Sequence, residues 1–376
     1  MLHKNFMILL LAIFLSSCQG SPSQVVSPTV PSSAEQTTEA LLLGQPTLTE
    51  LPQLEPSATS QPSPTAIPEY DEISLENLED LMVAASAESE SPVTIHWSKD
   101  SERVGVVGVN SFSIYSAAQG ALLKSIVLAE PYYLMDASIE REMVAVTTDQ
   151  QAVEFRSMDT GEVLSTLKPE EMFLNGQFRP DGYGFLLSSA YTIAAQEWDI
   201  ETNQLFNQIE GFQTAAPVYA ARYSDQGSSI IWVARGTVQV YDLQAGQFGA
   251  VMGHEDFVNS SDLAPNGRIL AAATLGTVEG EFMPIVRLWD AFGGQILKDI
   301  PTGESIASRV HFSPDGSLLI VAAGTEVNIW QVETYAKVWQ YTLSGGLIRD
   351  ARISPDGKAL AVVDEHGTLQ LLRILK

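Results

Sequence analysis

The sequence predicts an all-β fold, a seven-bladed β-propeller of four-stranded antiparallel blades, and three observations carry the prediction. A unit of about forty residues recurs seven times after Val93, a period typical of propeller blades. Inside each unit, Val, Ile, Trp and Tyr alternate with polar residues between Gly, Pro, Asn and Asp, as in short strands. The last unit ends one strand short, so we expect an amino-terminal strand to complete the last blade.

Residues 1–17 are predicted to be a lipoprotein signal peptide. Lys4 supplies its positive start, residues 6–15 are apolar but too short to span a bilayer, and Leu-Ser-Ser-Cys at 15–18 matches the bacterial lipobox. Cys18 is the only cysteine in the chain, and the alternative is a free thiol at that position by chance. Lipidation of Cys18 predicts anchoring at the cell membrane, on its extracytoplasmic side.

Residues 18–72 are predicted to be the lipidated cysteine and a disordered tether, and residues 73–376 the propeller. The tether is rich in Ser, Thr, Pro and Gln and contains no Lys or Arg, so it cannot bury enough apolar surface to fold. Residues 78–85 are the apolar candidate for the closing strand, and we expect Ser74 to cap a short helix before it. The alternative is that this segment forms a free amphipathic helix.

The turn that opens each unit sets the register of the repeats. Its clearest copies are FSPDG at 312–316, ISPDG at 353–357 and FRPDG at 178–182. Successive turns are 40, 41, 44, 41, 49 and 41 residues apart. The turn residues used for this spacing are Asp100, Glu140, Asp181, Asp225, Asn266, Asp315 and Asp356.

The pattern of an SPDG turn, an aromatic-Asp pair and a further tight turn resembles that of the WD-repeat propellers, over residues 73–376. The two WD dipeptides stand where that family has them, at Trp198-Asp199 and Trp289-Asp290. Only one Gly-His dipeptide is present, Gly253-His254. The histidine-based hydrogen-bond network that the resemblance implies is therefore expected in one blade at most.

The charge of the chain excludes several classes of partner. The net charge is -26, and residues after 91 include 34 acidic against 19 basic side chains. Nucleic acids and anionic lipid headgroups require a basic surface, so we expect neither as a partner. A cationic or neutral protein or a small ligand is compatible with this charge, and we expect a monomer.

No short catalytic, cofactor or metal motif is present in the sequence. There is no Gly-rich phosphate loop, no HExxH and no GxSxG, and none of the four histidines outside the signal pairs with another at ligand spacing. We therefore predict no cofactor and no metal. Propeller enzymes can still collect catalytic residues from several blades, so catalysis stays an alternative.

Aligned repeats place one polar residue at the same position of each innermost strand, two residues before the turn serine. The large residue between them, such as Phe312, is expected to pack between blades, so the polar one should face the central channel. One interpretation is that these groups satisfy one another through water, with Arg222 beside Asp262. The other is a small polar ligand, with Arg222 and Arg352 holding an anion. The seven channel-lining candidates are His96, Asp136, Gln177, Arg222, Asp262, His311 and Arg352.

A second candidate surface is the end of the propeller that carries the connections between blades and between the two middle strands of each blade. The longest repeats have their insertions there, at 211–217 and 275–285. We expect these residues to form a protein-binding platform with an acidic rim, although each aromatic could instead plug its own loop. The binding-face candidates are Tyr132, Tyr133, Phe212, His254, Phe257, Phe282 and Met283.

The sequence therefore favours a membrane-anchored propeller that binds a protein or ligand as a scaffold or sensor without catalysis. The first alternative is a hydrolase or lyase with its site in the channel, using His96, Asp136, Asp262 and His311. A structural envelope component without a dedicated ligand is the second alternative.

Overall fold

The computed structural model describes residues 68–129, 131–148, 151–170, 172–189, 194–210, 218–234 and 236–376. The signal peptide and the tether up to residue 67 lie outside this range. The described part forms seven antiparallel sheets, which confirms the predicted seven-bladed propeller. Within it, no helix is long and apolar enough to cross a membrane.

The strands follow the chain in the order that a propeller requires, from the channel to the outside of each blade. Before the first blade come β1 (Tyr70–Asp71), a 3-10 helix (Leu78–Asp80) and β2 (Met82–Glu88). Blade 1 comprises β3 (Pro92–Trp97), β4 (Arg103–Gly108), β5 (Ser111–Ser116) and β6 (Leu122–Val127). Blade 2 comprises β7 (Tyr133–Ser138), β8 (Met143–Thr147), β9 (Val153–Ser157) and β10 (Val163–Leu167). Blade 3 comprises β11 (Phe173–Phe178), β12 (Gly184–Ser189), β13 (Ala194–Asp199) and β14 (Gln204–Glu210).

The later blades repeat this order with two variations. Blade 4 comprises β15 (Val218–Tyr223), β16 (Ser229–Ala234), β17 (Thr237–Asp242) and an outer strand in two pieces, β18 (Gln247–Phe248) and β19 (Met252–Gly253). Blade 5 has the longest middle strands, with β20 (Ser260–Leu263), β21 (Ile269–Val278), β22 (Glu281–Asp290) and β23 (Ile296–Pro301). Blade 6 comprises β24 (Ala307–Phe312), β25 (Leu318–Ala323), β26 (Glu326–Gln331) and β27 (Lys337–Thr342). Blade 7 contains β28 (Ile348–Ile353), β29 (Leu360–Asp364) and β30 (Thr368–Leu375).

The ring is closed by β2, which pairs antiparallel with β30 and supplies the fourth strand of blade 7. The register runs from Met82 opposite Arg373 to Glu88 opposite Thr368. This confirms the predicted amino-terminal closing strand and excludes the free amphipathic helix. An additional strand, β1, pairs with the end of β30 through Tyr70 opposite Leu375.

Two details of this closing segment differ from the prediction. The residue before the 3-10 helix is Asn77, and Ser74 instead donates its backbone N–H to the Asn77 side chain at 2.8 Å. Ser74 therefore lies in the turn before the helix and does not cap it. Tyr70 and Asp71, which we assigned to the tether, are paired with β30, so contacts to the propeller begin before residue 73.

The hydrophobic core is divided into seven clusters, one at each junction between neighbouring blades. The cluster between blades 6 and 7 contains Ile320 and Ile353, and it also holds Leu78 from the closing segment. The cluster between blades 7 and 1 closes the circle through Leu371 and Ile95. The residue before each turn packs into a different cluster, as the sequence predicted. These residues are Trp97, Ala137, Phe178, Tyr223, Leu263, Phe312 and Ile353.

The SPDG turn is stabilised by its own serine and aspartate. In blade 7 the Ser354 hydroxyl donates to Asp356 Oδ1 at 2.6 Å and accepts the backbone N–H of Ala359 at 3.0 Å. Asp356 Oδ1 also accepts the N–H of Lys358, and Gly357 has a φ of 72°, which a glycine adopts without strain. These bonds explain why Ser, Asp and Gly recur at fixed positions of the repeat.

The insertion in blade 5 is an ordered hairpin and not the loop that the repeat length suggested. Strands β21 and β22 pair without interruption from Ile269–Asp290 at one end to Val278–Glu281 at the other. The turn consists of Glu279 and Gly280, with φ of 54° and 88°, so both residues are left-handed as in a type I′ turn. The other insertion, 211–217, lies outside the described residues.

Candidate functional site

The polar positions of the innermost strands form a belt that joins each blade to the next. Asp136, Gln177 and Asp262 each accept the backbone N–H of the residue before the turn in the following blade. The three donors are Phe178 at 2.8 Å, Tyr223 at 2.8 Å and Phe312 at 2.9 Å. Strands β7, β11 and β20 present these acceptors at equivalent positions, so the same bond recurs at three of the seven blade junctions.

The other four belt residues also contact the following blade, through different atoms. His96 Nδ1 lies 3.1 Å from the carbonyl oxygen of Ala137, and His311 Nε2 lies 3.0 Å from Asp350 Oδ1. The remaining two contacts run from Arg222 Nη2 to Asp262 Oδ1 at 3.9 Å and from Arg352 Nη1 to the Ile95 carbonyl oxygen at 3.4 Å. All seven predicted channel-lining residues therefore connect neighbouring blades.

The channel widens into a cavity of about 1000 Å³ at the end that carries the SPDG turns. Five of the seven belt residues line it, together with turn prolines such as Pro180 and Pro314. Asp225 lines the same cavity from the turn of blade 4, and its carboxylate forms an ion pair with Arg352 of blade 7. Because these residues are three blades apart, the ion pair crosses the mouth of the channel.

Both arginines that were expected to hold an anion face carboxylates. Arg352 is paired with Asp225, and Arg222 lies 3.9 Å from Asp262. The predicted pair of His96 and Asp136 has its closest atoms 3.6 Å apart, longer than a hydrogen bond. The contacts therefore match the interpretation in which neighbouring groups compensate one another, with a carboxylate beside each arginine.

Burial and neighbouring charges shift the pKa values of the acidic groups of the channel, and the direction differs from one group to another. Burial raises the pKa of Asp262, and the nearby carboxylate of Asp225 raises it further. Burial alone would also raise the pKa of Asp350, but the charge and hydrogen bond of His311 hold that pKa well below its usual range. Burial likewise raises the pKa of Asp136, against the opposing effect of His96. Asp350 is thus held as a carboxylate, whereas Asp262 resists ionisation.

Asp350 and Asp225 are site residues that the sequence analysis missed. Asp350 is completely buried and accepts bonds from Ile95 N and Thr94 Oγ1, both at 2.8 Å, in addition to His311. Asp225 stands in its turn at the position that is proline in four other blades, and those prolines line the cavity. That substitution was the available signal for Asp225.

The predicted binding-face residues do not form one patch. Tyr132 and Tyr133 belong to blade 2, whereas Phe257, Phe282 and Met283 belong to blade 5, three blades away. Tyr132 is half-buried and its ring stacks on the Arg156 guanidinium, whereas Tyr133 is 54% exposed. Phe212 lies outside the described residues.

Blade 5 presents the more coherent part of this surface, which we call the blade 5 corner: Phe257, Phe282 and Met283 with Glu255, Glu279 and Glu281. Phe257 is 47% exposed and Phe282 is 57% exposed. The Thr277 hydroxyl donates to Glu255 Oε2 at 2.7 Å, which fixes the incoming loop against the hairpin. Arg287 is buried, is held by Asp299 through two bonds of 2.7 and 2.9 Å, and lies 3.8 Å from Glu255 Oε1. The corner is therefore apolar and negatively charged.

His254 lies beside this corner but faces inward. Its ring packs edge-on against Trp289 with centroids 5.5 Å apart, and both ring nitrogens are buried without a hydrogen-bond partner among the described residues. Burial lowers the pKa of His254 to about 4, with a further contribution from the charge of Arg287. His254 is thus not available as a contact residue, and the histidine-based network that the family resemblance implied is not formed in this blade.

Comparison with known proteins supports the repeat type. The family described as eukaryotic translation initiation factor eIF2A matches residues 188–354, which is less than half of the chain. Apoptotic protease-activating factor 1 of Rattus norvegicus is 25% identical over 51% of this chain and 15% of its own length. Small ribosomal subunit protein RACK1 of Caenorhabditis elegans is 32% identical over 22% of this chain and 23% of its own length.

This chain therefore spans less than a quarter of the length of the curated relatives it matches. Both of the relatives described above contain WD repeats. The identity is low, but the family match over residues 188–354 falls on blades 3 to 7. The fold and these matches together support a seven-bladed propeller of the WD-repeat type.

Proposed function

We propose that this protein is a binding scaffold, anchored by a lipidated Cys18 on the extracytoplasmic side of the cell membrane, that holds a protein partner on the blade 5 corner. The observation that carries the proposal is a pair of exposed aromatic residues, Phe257 in the loop before β20 and Phe282 on the hairpin, each with glutamates within two or three residues in the chain. Exposed apolar residues bordered by polar residues commonly mark sites of contact with another protein.

The charge of the corner specifies the kind of partner. Glu279 and Glu281 flank the hairpin turn next to Phe282, and Glu255 precedes Phe257 by two residues. Arg287 is bound to Asp299 and lies 3.8 Å from Glu255. A partner segment that offers Lys or Arg beside an apolar side chain would match both properties, and it would associate faster at low salt. Apoptotic protease-activating factor 1, to which this chain is similar over part of its length, is named for its action on a protease, which agrees with this role.

Binding is favoured over catalysis by what the channel residues do. Each residue of the hydrolase alternative uses one side-chain atom for a contact with the following blade. These residues are His96, Asp136, Asp262 and His311. A catalytic acid or base must be free to exchange a proton with a substrate. These four residues are engaged in contacts between neighbouring blades, so the hydrolase or lyase is the less supported hypothesis.

The proposal is tested by position-specific photocrosslinking in membranes that carry the full-length protein. A photoreactive amino acid in place of Phe282 should capture a discrete protein band, and the band should weaken with Phe257→Ala or with Glu281→Lys. The matched control places the same amino acid at Tyr183, which is 53% exposed on a turn at the opposite end of the propeller. Capture from Tyr183 alone, or equal capture from both positions, would contradict the assigned surface.

The anchor is tested separately from the binding surface. Cys18→Ala should release the protein from the membrane fraction into the soluble extracytoplasmic fraction, because the acyl chains would have no attachment point. The purified variant should melt at the same temperature as the parent, since residue 18 precedes every strand of the propeller. Retention of Cys18→Ala in the membrane would show that another feature anchors the chain.

A further inference from the structure

Two buried atoms of the channel belt, Asp262 Oδ1 and His311 Nδ1, form no hydrogen bond within the described part of the chain, and Asp262 Oδ1 lies 3.9 Å from Arg222 Nη2. Asp262 uses Oδ2 for the N–H of Phe312, and its Oδ1 forms no hydrogen bond among the described residues. His311 uses Nε2 for Asp350, and its Nδ1 is likewise buried without a hydrogen-bond partner. Asp262 is 1% exposed and His311 is 5% exposed. Burial of a carboxylate oxygen and an imidazole nitrogen without hydrogen bonds is costly unless something binds them.

We infer that Asp225, Asp262 and His311 form a binding site for a divalent transition-metal ion at the mouth of the channel. One ligand atom from each residue lies within 4.8 Å of the other two. An ion about 2.1 Å from its ligands spaces them roughly 3.4 Å apart in a tetrahedron, so the site closes if the most distant ligand atoms approach by about 1.4 Å. Asp225 lies in a half-buried turn at the cavity wall and can supply that shift.

The partner of the His311 ring matches the way metal-binding histidines are held. Asp350 Oδ1 lies 3.0 Å from His311 Nε2, so this carboxylate holds the proton on Nε2 and leaves the lone pair on Nδ1. Nδ1 faces Asp262, whose Oδ2 is 3.9 Å away. Asp350 is itself fixed by Ile95 N and Thr94 Oγ1, so the ring cannot rotate freely.

The ligand set selects the class of ion. One imidazole nitrogen and two carboxylates suit Zn²⁺ or Mn²⁺, whereas Ca²⁺ and Mg²⁺ require more oxygen ligands and do not favour nitrogen. Three protein ligands leave the fourth position open, and Asp225 and Asp262 both line the cavity through which an ion and a water could enter. Arg222 and Arg352 lie beside the two carboxylates and oppose a cation, so the affinity should be limited by their charge.

The test is titration of the full-length protein in detergent with ZnCl₂ by calorimetry, and with CoCl₂ by visible absorption. We expect one specific site in the parent, loss of that site in Asp262→Asn and His311→Gln, and affinity lowered 10- to 100-fold in Asp350→Asn. Asp136→Asn is the matched control, because Asp136 occupies the equivalent position and accepts the same type of interblade bond as Asp262. It should keep the site.

Further variants keep the inference testable if a belt substitution prevents folding. Asp225 lies in a turn outside the belt and is paired with Arg352, and Asp225→Asn should also lose the site. Arg352→Gln removes an opposing charge and should bind Zn²⁺ more tightly. The inference is overturned if the folded parent shows no cobalt band at millimolar CoCl₂. It is equally overturned if the site survives in Asp225→Asn or disappears in Asp136→Asn. Neither result bears on the protein-binding surface of blade 5, which lies at the other end of the propeller.

Discussion

Truncation of Leu78 tests how the ring is closed. Leu78 is 2% exposed and packs into the cluster between blades 6 and 7, immediately before the closing strand β2. Replacement of a buried leucine by alanine costs about 2–5 kcal/mol, of which the lost burial accounts for roughly 2 kcal/mol and the cavity for the rest. We therefore expect Leu78→Ala to lower the free energy of unfolding by about 3 kcal/mol.

The matched control is Leu75→Ala, which removes the same side chain three residues earlier. Leu75 is 43% exposed, so its truncation should change the free energy of unfolding by less than about 0.5 kcal/mol. The assay is urea denaturation followed by tryptophan fluorescence, with thermal melting as a second measure. At about 2 °C per kcal/mol for a domain of this size, Leu78→Ala should melt roughly 6 °C lower than the parent.

Equal effects of the two leucine substitutions would refute the reasoning, because they would show that the segment before β2 contributes no specific packing. Deletion of residues 73–86, which removes most of β2, should destabilise the ring far more than Leu78→Ala. An unchanged melting temperature after that deletion would mean that blade 7 is stable without its fourth strand.

Three further predictions follow from single residues. The pKa of His254 is near 6.5 in the unfolded chain and about 4 in the folded chain. The free energy of unfolding should therefore decrease as the pH falls from 6.5 to 4, by about 3 kcal/mol in total. His254→Phe should remove that loss in urea titrations at pH 7 and pH 4, and an identical pH dependence would contradict the burial of the ring. Asp350→Asn should lower the free energy of unfolding by roughly 3 kcal/mol at pH 7. Because folding lowers the pKa of Asp350, the difference in stability between variant and parent should shrink as the pH falls below about 4. A difference that stays constant with pH would contradict the charged network. Glu279→Asn should raise the free energy of unfolding by about 0.5 kcal/mol in the same urea assay, because asparagine tolerates a φ of 54° better than glutamate does. A destabilised variant would contradict the type I′ turn.

The architecture was predictable because each repeat encodes its own register. Residues such as Phe312 and Phe178 precede a turn of fixed sequence, so alternation along the strand assigns one face to the blade junction and the other to the channel. The alignment of the repeats also predicts that Asp262 lies beside His311 and Arg222, because equivalent residues of neighbouring blades are adjacent around the channel.

The remaining features depend on distances that alternation does not encode. Arg352 reaches Asp225 only because the channel is narrow enough for the side chain to cross it. Asp350 pairs regularly with Val363, so alternation places it on the same face as Arg352, but alternation does not show that it reaches His311 in the neighbouring blade. The inward rotation of His254 likewise follows from packing against Trp289 and not from the Gly-His dipeptide itself.

The central claim, that the blade 5 corner holds a protein partner, is tested most directly by hydrogen exchange of the full-length protein with and without the captured partner. We predict slower exchange at residues 254–258 and 278–283, and unchanged exchange in the turns of the opposite end, including 181–183. Protection confined to those turns or to the outer strands, with residues 278–283 unaffected, would contradict the account.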